Sequence, residues 1–338
     1  MSSTVSRSRR GLRVVAHTGL GVMLAATLSL AGPGGGTASA STAEDCASHG
    51  HSSARVGWGA AQGQDPNSVT AAAAQRMDEQ LQARVAAMAE VGGLSSRGTR
   101  LGKGPIKVRT HVHIITREDG TGGVSRAQLD AQMRVVNDGY AGRTAEGAAA
   151  SPFRFRIASV DVTRNDDWYD WSLDADGSDD DADAKRALHR GGWADLNVYI
   201  AGLGDGLLGY ATFPQDGTLE LDGLVLLNES LPGGSAAPYN EGDTATHEIG
   251  HWLGLYHTFE NGCEHPGDFV RDTPYQDDGD NIFSCGDDPA FGDDTCPRPG
   301  KDPVHNFMSY GNDACLDQFT PGQNRRQLQT WMAFRRGR

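Results

Sequence analysis

Three histidines and one glutamate carry the most specific chemistry in the chain. They stand in the run His247-Glu-Ile-Gly-His-Trp-Leu-Gly-Leu-Tyr-His257. On a helix, residues four apart share a face. His247 and His251 can then point at one ion, and Glu248 lies beside that ion's open corner. Gly254 lets the helix stop with a positive φ, which glycine adopts without steric penalty, and the chain can return His257 to the same ion. Three neutral imidazoles leave one tetrahedral position for water, the mark of a catalytic zinc. Such an ion brings the pKa of bound water toward neutrality. Glu248 is placed as the general base that takes the water's proton and passes it to a leaving amine. The first five residues alone can arise by chance and are only moderately specific. The added glycine and third histidine make the pattern specific. His305 and the pair His111/His113 lack such spacing and read as ordinary histidines.

A helix over Asp243 to Gly254 must hold the first two ligands. Upstream, Ile106 to Thr116 reads as a strand. Ser125 to Tyr140 reads as a helix with Ser125 as N-cap and Leu129, Met133, Val136 and Tyr140 on one face. Phe153 to Val162 is a strand, Ala184 to Arg190 a short helix and Leu196 to Ile200 a strand. Gly223 to Leu227 is a further strand, expected to form the edge against which a peptide would pair. The order predicts an α/β fold with one mixed sheet. The acidic stretch 174–183 lacks the glutamate of a calcium hand loop and reads as solvated charge.

Residues 1–40 do not read as fold. Arg7, Arg9, Arg10 and Arg13 precede an apolar run and then Ala38-Ser39-Ala40, the layout of a secretory signal peptide. The run is short for a membrane span, so the mature protein is expected outside the cell and off the membrane. The chain of 338 residues carries a net charge of −14, which becomes −18 once those four arginines leave. That balance excludes nucleic acid as a partner class. Residues 41–103 are poor in strand formers and hold one helix, near Val69 to Val91, followed by a Gly/Ser/Arg linker with Arg97 and Arg100. They read as a pro-segment, leaving 104–338 as the catalytic domain. Of five cysteines, Cys263, Cys285, Cys296 and Cys315 are grouped as in two disulfides, with three pairings open. Cys46 is left over.

The long zinc motif followed by Asn306-Phe-Met-Ser-Tyr310 resembles the metzincin clan, in which a methionine turn lies beneath the zinc. The match is closer to the pappalysin (M43, cytophagalysin) family of secreted metallopeptidases. It is carried by His247 to Phe259, Gly267-Asp-Phe-Val-Arg-Asp-Thr-Pro274, Asn306 to Tyr310, Cys315 and Phe319-Thr-Pro-Gly-Gln323. The resemblance implies a metzincin-like domain, with the twisted mixed sheet and active-site helix in an upper sub-domain and a smaller irregular lower one. It implies Met308 as the turn methionine and Tyr310 as a stabiliser of the tetrahedral intermediate. It implies the pairs Cys263–Cys296 and Cys285–Cys315. Asp272 and Thr273 become candidate ligands of a structural Ca2+, with a cap or turn role for Asp272 as the alternative. Asp313 becomes the base of a pocket favouring Arg or Lys after the cleaved bond, or else a surface residue. Cys46 becomes a zinc cap in the zymogen, or else a free or intermolecularly paired thiol; the glycine that usually follows such a cysteine is missing. The implied activity is hydrolysis of protein or peptide substrates. The alternatives are a zinc hydrolase of non-peptide substrates and a non-catalytic binding module. The oligomeric state and natural substrate are not written in the sequence.

Overall fold

The computed structural model describes residues 52–57, 69–90, 104–171, 180–204, 206–215, 217–283, 285 and 294–336. The leader, Cys46, the linker at 92–103 and most of the acidic stretch lie outside these residues. The elements run β1 (Ser52–Val56), α1 (Ala71–Glu90), β2 (Ile106–Thr116), α2 (Arg126–Tyr140), β3 (Phe153–Arg164), α3 (Asp166–Tyr169), β4 (Asp170–Trp171), α4 (Asp180–Leu188), β5 (Asp195–Leu203), β6 (Leu207–Thr212), β7 (Leu224–Leu227), α5 (Asp243–Trp252) and α6 (Pro321–Thr330).

One mixed sheet has the order β1-β6-β7-β5-β2-β3, with β4 added beside β5. β2 runs parallel to β3 and β5, and β5 parallel to β7. β6 turns back antiparallel to β7. β5 has no clean alternation because both its faces are covered. On one face, Val112, Ile114, Val198 and Ile200 pack on Leu129 and Val136 of α2 and on Ile249 of α5. On the other, Tyr199 and Ala201 pack with Trp171, Ala184 and Tyr210. β3 closes the far side and leaves Val160 and Val162 exposed. Helix α2 starts on a reciprocal capping box between Ser125 and Gln128, which satisfies two otherwise orphaned N–H groups.

Two features differ from the sequence reading. Leu224–Leu227 is an interior strand between β6 and β5. The glycine-rich stretch from Gly202 to Gly209 hides the strand that borders it, β6. Gly209 lies within β6, where a Cβ would fall 2.9 Å from the Val225 carbonyl and 3.2 Å from Glu248 Cγ, so only glycine fits between strand and helix. The second difference is β1. It pairs antiparallel with β6 from Ser52↔Thr212 to Arg55↔Gly209, in a segment expected to contribute no strand.

Helix α1 is docked through a small core of its own. Ala73, Ala74 and Met77 cluster with Phe213 and Tyr256. Tyr256 Oη donates to the Ala74 carbonyl (3.1 Å), and Asp78 pairs with Arg326.

The C-terminal end clamps α5. Arg335 is fully buried, with Nη1 2.6 Å from Asp222 Oδ2, Nη2 donating to the Trp252 carbonyl and the guanidinium 4.0 Å above the Trp252 ring. Trp252 Nε1 donates to the same Asp222 oxygen (3.0 Å). Breaking a buried pair strands the surviving charge, at a cost of about 3–5 kcal/mol. Asp222→Ala is expected to lower unfolding stability by that order in urea titrations. The paired change Asp222→Leu with Arg335→Met should recover most of the loss.

Candidate active site

Every residue of α5 is buried, which is unusual for a ten-residue helix carrying two histidines and a glutamate. It begins at Gly242 with φ 104° and ends at Leu253. Gly254 follows at φ 85°, and the Leu255 N–H returns to the Gly250 carbonyl (2.9 Å). This left-handed exit sends the chain back so that His257 meets the other two histidines.

His247, His251 and His257 are the one grouping of metal-ligating side chains found among the described residues. His251 Nε2 lies 3.0 Å from His247 Nε2 and 3.2 Å from His257 Nε2. The opposite ring nitrogens set the tautomers of the helical pair. His247 Nδ1 donates to the Phe307 carbonyl (2.6 Å), and His251 Nδ1 donates to the Leu255 carbonyl (2.8 Å). With protons fixed there, the Nε2 lone pairs face one another. Burial holds His247 and His257 well below the ordinary imidazole range and brings His251 down to about 3, so none carries a proton to relieve the repulsion. A shared cation does. Two ligands about 2.05 Å from a tetrahedral ion are about 3.3 Å apart, close to the separations seen. The site therefore fits Zn2+.

Asn306 to Tyr310 forms the floor. Asn306 and Gln323 exchange two side-chain hydrogen bonds of 2.9 Å, and Asn306 Oδ1 also accepts from the Met308 N–H. Phe307 supplies the carbonyl that orients His247. Met308 is fully buried against Gly250, where a Cβ would fall 2.4 Å from its sulfur. The Tyr310 ring stands edge-on to His257, centroids 4.7 Å apart, and 5.9 Å from His247.

Asp313 is buried rather than on the surface. Its Oδ2 accepts from the N–H groups of Glu241 (2.8 Å) and Gly242 (3.0 Å) at the start of α5. Its Oδ1 accepts from Nη1 of Arg55 (3.0 Å). Arg55 is itself fully buried. Nη1 also donates to Thr244 Oγ1 (3.0 Å) and Nη2 to the Gly311 carbonyl (2.7 Å). The Arg55 N–H donates to Glu248 Oε1 at 3.2 Å. Sequence reasoning missed Arg55. The one available signal was an arginine with flanking residues able to extend, set in an otherwise featureless stretch.

The structure holds the disulfides Cys263–Cys296 and Cys285–Cys315. Asp272 spends both carboxylate oxygens on the start of α6, accepting from Thr320 Oγ1 and the Gly322 N–H (2.8 Å each). Thr273 is buried beside it. His113 lies between Asp161 and Asn197, and His305 Nδ1 donates to the Cys315 carbonyl; neither approaches the histidine cluster.

The family model described as pregnancy-associated plasma protein-A, peptidase M43, matches residues 185–331. Extracellular metalloprotease 1 of Coccidioides posadasii is 38% identical over 262 residues, covering 75% of this chain and 86% of that protein. An extracellular metalloprotease of Colletotrichum graminicola is 40% identical over 253 residues, covering 72% and 82%. Among solved structures, mature mirolysin of Tannerella forsythia, in complex with a cleaved peptide, is similar with a TM-score of 0.54 and 27% identity. That match covers 67% of this chain and 91% of mirolysin. A promirolysin point mutant shares the fold with a TM-score of 0.58 over 77% and 90% of the two chains.

Gly250 provides a test of how the helix and the methionine turn are fitted. Alanine at a helix interior gains about 1 kcal/mol over glycine, but overpacking a full core costs about 1–3 kcal/mol. With Met308 allowed no retreat, Gly250→Ala should lower stability by about 1 kcal/mol and weaken zinc retention. Thermal unfolding and metal analysis of the purified variant check both.

Proposed function

Since the chain belongs to the pappalysin family of metallopeptidases, peptidase family M43, we propose that it is an extracellular zinc endopeptidase with a basic residue favoured after the cleaved bond. The observation that carries the reading is the convergence of three neutral imidazoles beside a buried glutamate that already holds a peptide N–H. Zn2+, when bound by His247, His251 and His257, supplies Lewis acidity and an acidified water. Glu248 accepts the attacking water's proton and returns it to the leaving nitrogen. Its contact with the Arg55 N–H supports the second half of that duty. Tyr310, packed against His257, is the donor proposed to steady charge on the substrate carbonyl oxygen. Met308 gives the ligand helix an apolar floor.

A substrate peptide pairs with β6, the strand on which β1 lies. The pocket beyond Glu248 is formed by Asp313, Thr244 and the Gly311 carbonyl. The guanidinium of Arg55 there supports a basic occupant: a buried carboxylate with a carbonyl and a hydroxyl suits a charged, multiply donating side chain. Residues 41–103 act as the pro-segment, supported by β1 lying along the cleft and α1 lying on the body. The names of the extracellular relatives support export. A structural Ca2+ near Gly267 to Pro274 would share Asp272 with the cap of α6.

Glu248→Ala should abolish peptide cleavage, a loss of at least about 1,000-fold, while zinc content measured by mass spectrometry stays at one ion per chain. Cleavage-site profiling of a protein digest should show Arg or Lys enriched after the cut. Asp313→Asn should flatten that enrichment, and a profile without basic preference in the parent enzyme would remove Asp313 from specificity.

A further inference from the structure

We propose that the N-terminal half of β2 and β3 is a docking surface for an acidic polysaccharide. The inference goes beyond the endopeptidase reading and does not rest on it. Side chains of a strand point alternately to the two faces of the sheet. Val108 of β2 and Phe153 and Phe155 of β3 lie in the core shared with α2 and α5. Lys107, Arg109, Arg154 and Arg156 therefore point to the opposite face. The register sets Lys107 directly beside Arg154 and Arg109 directly beside Arg156. Lys107, Arg109 and Arg156 are exposed, and Arg154 is half-buried. On that face the packed cover starts farther along the strands, where His113 stacks on Tyr199 (4.9 Å). Arg190, just past α4, adds a fifth cation beside Asp161 (3.2 Å).

Two carboxylates face this cluster, and both are already engaged. Asp195 holds Arg109 through two bonds of 2.7 Å. Asp161 accepts from His113 Nδ1 (3.0 Å) and from Arg190. Lys107, Arg154 and Arg156 have no ion-pair partner among the described residues. Like charges set directly opposite across two strands repel, and an external anion relieves them. Five cations against two carboxylates give this face a net +3 in a chain of net −14. Basic clusters serve heparin-like ligands as well as nucleic acid. Here the surrounding negative charge decides between them, because it repels a long polymer with dense phosphates. A sugar chain with sparser carboxylates or sulfates can lie on the patch alone. The cations stand on a flat lattice, about 4.8 Å across strands and about 6.7 Å along them. Guanidinium groups pair with such oxyanions through two parallel bonds. β6 lies three strands from β2 in the sheet, and α5 packs on the other face. A bound polymer thus tethers the protein with its cleft left open.

The test uses the full chain with zinc on immobilised heparin and on polygalacturonate, with neutral dextran as the blank. Single-stranded DNA and phosphatidylglycerol vesicles are run alongside at equal charge. The expected result is binding to both acidic polysaccharides at about 50 mM salt, weakening as salt rises, and tighter than to DNA or vesicles. Lys107→Glu with Arg156→Glu should weaken that binding at least about tenfold, with peptide cleavage unchanged. Its melting temperature should hold or rise, since each new carboxylate lies beside an arginine. Should that variant fail to fold, Arg156→Gln alone reads the same loss at about threefold. Arg126→Glu with Arg134→Glu places the same charge change on α2 and should leave most of the binding intact. Equal retention on dextran, tighter binding to DNA or vesicles, or equal loss from the two charge-reversed pairs would overturn the proposal. Peptide cleavage is read separately in the same samples, and its absence would count against the endopeptidase reading alone.

Discussion

Three imidazole nitrogens share a space too small for three lone pairs, and the architecture around them exists to keep them there. The Phe307 and Leu255 carbonyls pin the protonated sides of His247 and His251. Burial prevents protonation on the other side. A fold that forces this arrangement without a cation would be destabilised by its own site, so metal binding and folding are linked. The turn at Gly254, the floor at Met308 and the clamp from Arg335 to Trp252 each hold one side of that arrangement.

The ligand helix is unusually dependent on its neighbours. Its N-terminus is capped across space by Asp313, not by its own N-cap side chain. Its C-terminal tryptophan is covered by a charged residue from the far end of the chain. With Gly250 lowering its intrinsic propensity and no side-chain cap of its own, α5 is held helical by tertiary contacts. This places its two histidines accurately, because they cannot shift without disturbing packing on every face.

Much of the site was legible in sequence because its spacing has few other physical meanings. His247, His251 and His257 with Gly254 describe a helix, a left-handed exit and a return, and the structure has those parts. The capping signal at Ser125 and the apolar face of α2 were equally readable. The cleft was harder. β6 was masked by glycines, and Gly209 is there for close approach to Glu248, which no periodicity reveals. Interior β7 looked like an edge because its partner was not recognised. Arg55 lay in a stretch of low strand propensity, where extension is imposed by the neighbouring strand rather than encoded locally. Asp313 drew notice in the sequence through resemblance alone; its grip on the start of α5 depends on a contact some 70 positions away in the chain.

That double duty of Asp313 has an evolutionary consequence. One carboxylate oxygen accepts from the Arg55 guanidinium and the other fastens the helix bearing two metal ligands. Exchanging the residue to recognise a different side chain would also loosen the ligand scaffold. If Asp313 selects the side chain after the cleaved bond, as proposed, drift toward new substrates would be easier through Thr244 or the lining around Gly311, or after another group has taken over the fastening. Under that proposed role, selectivity would be inherited together with the integrity of the ligand scaffold.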